Sequence, residues 1–119
     1  MTYYYYISSN INIENDYLNK YRIQTNETFI GSKCFIQYEL YYNASHNELE
    51  KVYEVLYDYI SNHLDVDFIV VEIAHALSAE GIPYKVDKKY DINIDEFKKE
   101  HLFNLKEDEM IRIKRNIHK

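Results

Sequence analysis

Between Lys33 and Tyr42 the chain alternates cleanly. Cys34, Ile36, Tyr38, Leu40 and Tyr42 fall on one side, and Lys33, Phe35, Gln37, Glu39 and Tyr41 on the other. A period of two is the mark of a strand, here with one apolar and one mostly polar face. Such a strand belongs to a sheet covered on one side, which favours antiparallel pairing. The run Tyr3 to Ile7, aromatic and β-branched, predicts another strand. Tyr3, Tyr4, Tyr5 and Tyr6 place rings on both of its faces. At a sheet edge two of those rings would meet solvent and could anchor a homodimer; in a central position they would only cover the sheet. Tyr21 to Ile30 could fold back on the alternating strand through a turn near Gly31-Ser32.

Helical spacing takes over further on. Ile13, Tyr17, Leu18 and Tyr21 predict a short helix or turn after Asn15 and Asp16. Ser45 followed by Glu48 is a capping box, in which hydroxyl and carboxylate each take an orphan amide. Behind it Leu49, Val52, Tyr53, Leu56, Ile60 and Leu64 make one apolar stripe, predicting an amphipathic helix over about 46–64. Val66 to Ala79 is apolar almost all round. Its length, and Gly81 standing where a helix would end, predict a second, buried helix. The run Phe68-Ile69-Val70-Val71 also suits a central strand.

Ile82, Tyr84 and Val86 alternate with polar residues, as do Tyr90, Ile92 and Ile94. Matching faces predict a hairpin closed by Asp87-Lys88-Lys89, with one long strand as the alternative. Asp95 to Phe103 predicts a short helix. From Lys106 to Lys119, acidic then basic residues suit a helix dipole, while Ile111 and Ile113 alternating with Arg112 and Lys114 suit a strand. The expected architecture is α+β: a mostly antiparallel sheet with two main helices packed on one face, plus a short third helix.

The length of 119 residues suits one globular domain, 1–119, large enough to bury roughly two-thirds of its unfolded surface. Cys34 is the only cysteine, so no internal disulfide forms and a reducing compartment fits. The N-terminus lacks the basic start and aliphatic stretch of a signal peptide, and no apolar run is long enough to span a bilayer. A cytoplasmic location is expected, with no membrane partner.

The net charge of −6 and 14 tyrosines favour a protein partner over nucleic acid. Ile, Asn, Lys and Tyr all have AT-rich codons, so genome composition alone also accounts for the tyrosines. On the capped helix Glu50, Glu54 and Asp58 recur every fourth residue, flanked by Tyr57. Like charges at that spacing repel, and only Lys51 interrupts them. The ridge reads either as a solvated face or as a surface that meets a basic groove on a larger host protein.

Evidence for catalysis is thin. Glu72 and His75 stand three apart, half of a carboxylate-bridged metal motif if that segment is helical, with His63 nearby. The second half of the motif is missing. His63 also suits a helix C-terminus next to Asp65 and Asp67. His46, His101 and His118 have no ligand-spaced partner, and Cys34 reads as a buried core residue. Two glycines fifty residues apart make no phosphate loop. Arg112, Lys114, Arg115 and Lys119 form a basic tail, too few charges on an acidic body for more than weak, salt-sensitive nucleic-acid binding.

The reading that results is a non-enzymatic binding or inhibitor protein with Glu50, Glu54, Tyr57 and Asp58 as partner-binding residues. No catalytic, cofactor or metal residue is assigned. The class it suggests is an accessory of a phage or other mobile element, of anti-defence or nucleic-acid-mimic type, that blocks a larger nucleic-acid-binding protein. The alternatives are an immunity- or antitoxin-like protein, or a small metal-dependent enzyme using Glu72, His75 and His63.

Overall fold

The run Phe68 to Val71 decides the architecture. Three consecutive β-branched residues are stiff at χ1 and pack well on a pleated surface, and a run apolar on both sides suits a strand with both faces covered. In the computed structural model, which describes residues 2–41, 43–62, 68–78 and 84–116, this run opens a strand and not the expected buried helix. The elements in order are β1 (Thr2–Ser9), α1 (Asp16–Asn19), β2 (Phe35–Leu40), α2 (His46–Asn62), β3 (Phe68–Ser78), β4 (Lys88–Asn93), a 3-10 turn (Ile94–Glu96), α3 (Lys99–Phe103) and β5 (Glu109–Asn116). Ala79 and Gly81 lie outside the described residues, as do His63, Leu64 and the Ile82-Pro83 pair.

The strands form one mixed sheet in the order β2-β1-β3-β5-β4. Its pairings are antiparallel except β4 with β5, which run parallel. The α+β class holds, with α2 as the single long helix. Within the tail Glu109–Asn116 is strand β5, and 117–119 lie outside the described residues. The hairpin at Asp87-Lys88-Lys89 does not form: the Asp87 amide donates to Asp108 and β4 pairs with β5. The expected helix over 95–103 is split into the 3-10 turn and α3 by Phe97, whose backbone is extended.

β1 is not an edge. Its backbone pairs with β2 on one side and with β3 along its whole length on the other. Tyr5 and Tyr6 are paired with both neighbours, whereas Tyr3 and Tyr4 pair with β3 and lie outside the β1–β2 register. Tyr6 is fully buried, and Tyr5 packs on the main core.

A bulge explains the most consequential difference from the sequence pattern. Ile7 faces Tyr38 and Ser8 faces Ile36, so Gln37 is the extra residue. The alternation therefore changes phase. Tyr38 and Leu40 join α2, Leu49, Val52, Leu56, Ile60, Ile69, Val71, Ile111 and Ile113 in the main core. Ile36 joins Tyr6, Phe29, Ala74, Ala76 and Met110 in a second core on the opposite face. Gln37 holds the neighbouring loop, its side chain bonding the Ile13 amide at 2.9 Å and the Ile11 carbonyl at 2.6 Å. The sheet is thus covered on both sides, by helices on one and by the 22–34 arm with Tyr84 and Val86 on the other. The fold-back at Gly31 occurs, with φ of 85°, but only as isolated bridges, Arg22 to Tyr38 and Thr28 to Phe35.

Candidate binding surfaces

α2 is a rigid platform. The Glu48 amide donates to the Ser45 hydroxyl at 3.2 Å and the Ser45 amide to the Glu48 carboxylate at 3.3 Å, the expected capping box. At the other end the buried Arg115 guanidinium donates to the Ile60 carbonyl at 2.7 Å, placing a cation where the helix dipole is negative. Leu49, Val52, Leu56 and Ile60 bury the inner face. The outer face carries Glu54, Tyr57 and Asp58, all exposed, with Tyr57 at 37%. Glu50 differs from them. Lys99 of α3 lies 3.2 Å from its carboxylate, so this end of the ridge is neutralised by the protein itself. Glu54 and Asp58 form no ion pair among the described residues.

On the other face of the sheet a row of residues runs in register across neighbouring strands: Ile36, Ser8, Glu72, Arg112 and Asp91. Glu72 is fully buried. One carboxylate oxygen accepts from Ser8 at 2.8 Å and from Ser32 at 2.6 Å. The other accepts from two Arg112 nitrogens, Nη2 at 2.7 Å and Nε at 2.8 Å, a single oxygen shared by both charged donors. Asp91 extends the chain of charges, 3.9 Å from Arg112 and 3.5 Å from Lys114. Every oxygen of the buried carboxylate is satisfied, which marks the row as structural.

This geometry separates Glu72 from His75. Three residues apart on a strand, they project from opposite faces. His75 stacks on Tyr5 at 4.4 Å between ring centroids, on the helix side. Glu72 and His75 therefore do not form the shared-face pair that the metal motif needs, and His63 lies outside the described residues. No group of three potential ligands comes together among the described residues. Cys34 is buried beside the same row. Burial first, and then the Glu72 carboxylate, push its thiol up, the opposite of what a nucleophile needs. Three of the four basic tail residues are engaged within the chain, Arg112 with Glu72, Lys114 with Asp91 at the surface, and Arg115 with the end of α2, while Lys119 lies outside the described residues.

Beyond α3 the helix side of the sheet is left uncovered. A groove of about 710 Å³ runs there, floored by Tyr90, Ile92, Leu105 and Ile111. Lys88, Lys98 and Lys106 stand around it without an ion-pair partner among the described residues. Its inner carboxylate, Glu109, accepts from the Lys106 amide at 2.8 Å and from the Tyr90 hydroxyl at 3.1 Å, which holds its carboxyl below the usual range.

Compared with protein-family models, curated proteins and solved structures, the chain matches none. The surfaces therefore rest on their own chemistry.

Ser8, Ser32 and Arg112 are the partners that sequence reasoning missed. The signal was present: a lone Glu within an apolar run needs a cation, and a strand reading of the tail supplies one. The groove had no comparable signal, because it exists only through the parallel pairing of β4 with β5.

Proposed function

We propose that the chain is a non-enzymatic binding protein that occupies a basic site on a larger protein. The face it uses is the outer side of α2, with Glu54 and Asp58 as the charges and Tyr57 as the aromatic anchor between them. The observation that supports this most is the pairing of a rigidly capped helix with two exposed carboxylates that form no ion pair among the described residues, although the Lys99 charge that neutralises Glu50 also reaches Glu54. A partner's lysines or arginines would supply what the protein does not, and a partly exposed tyrosine adds contact area at small entropic cost. Glu50 contributes only after exchanging Lys99 for the partner. Blocking of a nucleic-acid-binding protein in a mobile-element setting, as an anti-defence inhibitor or an immunity-like protein, is the biological form that fits this chemistry. It fits a cytoplasmic site of action.

The test is capture from lysate by the immobilised chain, with the captured protein identified and re-measured in purified form. Glu54→Lys with Asp58→Lys should lower affinity for that protein about tenfold or more, since reversed charges at an interface cost several kcal/mol. The thermal midpoint should scarcely move, because both residues are exposed and unpaired. Unchanged affinity in the double variant would sink the assignment.

A further inference from the structure

The two edges of the sheet are treated differently. At β2 the Ile36 and Glu39 amides donate to the Glu27 and Tyr21 carbonyls, and the Gln37 carbonyl accepts from the Ile23 amide, so that edge is closed by the 21–27 arm. At β4 the Lys88 amide donates inward to Asp108. Alternation then turns the N–H and C=O of Lys89 and Asp91 outward, away from β5. The Asn93 amide is taken by Glu96 at 3.4 Å, but no group among the described residues takes the other two. An open edge is a template for another strand.

We propose that the strand it accepts is β4 of a second copy, antiparallel, about a two-fold axis through Tyr90 perpendicular to the sheet. The side chains choose both occupant and register. An axis at Lys89 sets lysine against lysine, and an axis at Asp91 sets aspartate against aspartate. The axis at Tyr90 alone sets Lys89 opposite the second copy's Asp91, twice by symmetry, and Tyr90 opposite its own equivalent. Opposite charges and paired aromatics are the favourable cross-strand partners. Lys89 now rests 3.3 Å from the Ile30 carbonyl in an exposed contact, which a carboxylate would replace.

This pairing also covers apolar surface. Tyr90 is 45% exposed on the groove side. Because the axis preserves faces, the two grooves meet side by side over the joined sheet, with the Tyr90 pair between them. Lys88 of one copy lies across from Ile92 of the other, where its methylene stem covers the isoleucine and its ammonium reaches solvent. An isologous contact of this kind closes on itself and leaves no edge at β4 for further growth.

Sedimentation of the purified full-length chain tests the proposal, from micromolar to hundreds of micromolar, at about 0.15 M salt where the like net charges are screened beyond ~8 Å. A concentration-dependent dimer is expected. Lys89→Pro removes an outward amide and none of the sheet's own bonds, so it should weaken the dimer roughly tenfold or more with an unchanged circular dichroism spectrum. Lys89→Asp alone and Asp91→Lys alone should each be monomeric, and mixing them should restore a heterodimer in which both charge pairs are complementary. A monomer throughout the range overturns the proposal. So does a dimer indifferent to Lys89→Pro, or two folded charge variants that stay apart when mixed. Should Asp91→Lys fail to fold beside Arg112 and Lys114, Lys89→Pro and Lys89→Asp decide the matter.

Discussion

Two buried or half-buried side chains carry most of the residue-scale chemistry. Glu72 depends on Arg112 far more than Arg112 depends on Glu72. The carboxylate is buried among fixed partners, whereas the guanidinium is 26% exposed and has Asp91 close by. Arg112→Met therefore strands a charge, and should lower stability by about 3 kcal/mol. Glu72→Gln keeps an acceptor for Ser8 and Ser32 and leaves Arg112 within reach of water, so its loss should be nearer 1–2 kcal/mol. Urea denaturation of both variants measures the ratio, and equal losses would show that the pair acts symmetrically. His75 makes a pH prediction. Burial holds its pKa below 6.5, with the Leu105 backbone and the Glu107 and Asp108 carboxylates opposing only in part. The unfolded chain then takes up a proton before the folded one does, so this residue's contribution is complete above about pH 6.5 and declines as pH falls toward its folded pKa. His75→Phe keeps a ring against Tyr5 and cannot titrate. The slope of thermal midpoint against pH below about 6.5 should be shallower in that variant than in the parent chain.

Elements were legible where local chemistry determines them and illegible where it does not. The start of α2 was readable because a capping box is a contact between near neighbours. Ser45→Ala should cost about 1 kcal/mol in denaturant melts, and more than twice that would mean the serine also supports something other than the helix end. β1 was readable for the same reason, its aromatic run having no helix former. β3 was misread because a segment apolar on both sides has no period, and only the arrival of β1 and β5 on either flank makes it a strand. The phase of β2 was misread because the bulge at Gln37 is fixed by the Ile11 and Ile13 backbone, distant in sequence. That single residue sends Cys34 and Ile36 to the face that carries Glu72, which is why their alternation with Tyr38 suggested a shared surface they do not have. The acidic ridge was legible as a pattern, but its truncation at Glu50 depends on where α3 sets Lys99. The charges of the tail were legible as well; their engagement required the sheet order.

At the scale of the molecule, stability and binding are assigned to different regions of one sheet. β1, β3 and β5 form its centre, each paired on both sides and sandwiched between the two cores. β4 is joined only through β5 and is exposed along most of its length. Opening free energy should follow that gradient, since amides exchange through the least costly opening available to them. Amides of β3 should exchange only on global unfolding, while those of β4 that face β5 should exchange through a smaller local opening. In dilute solution the outward amides of Lys89 and Asp91 should exchange fastest within the strand. A two-fold contact at this edge adds a concentration dependence that nothing inside the monomer can mimic: protection at Lys89 and Asp91 should rise with protein concentration while β3 keeps its rank. Hydrogen exchange read residue by residue at two concentrations separates these effects. If β4 is as protected as β3 at the lower concentration, the edge is not the independent, weakly held strand that both its exposure and its single pairing imply.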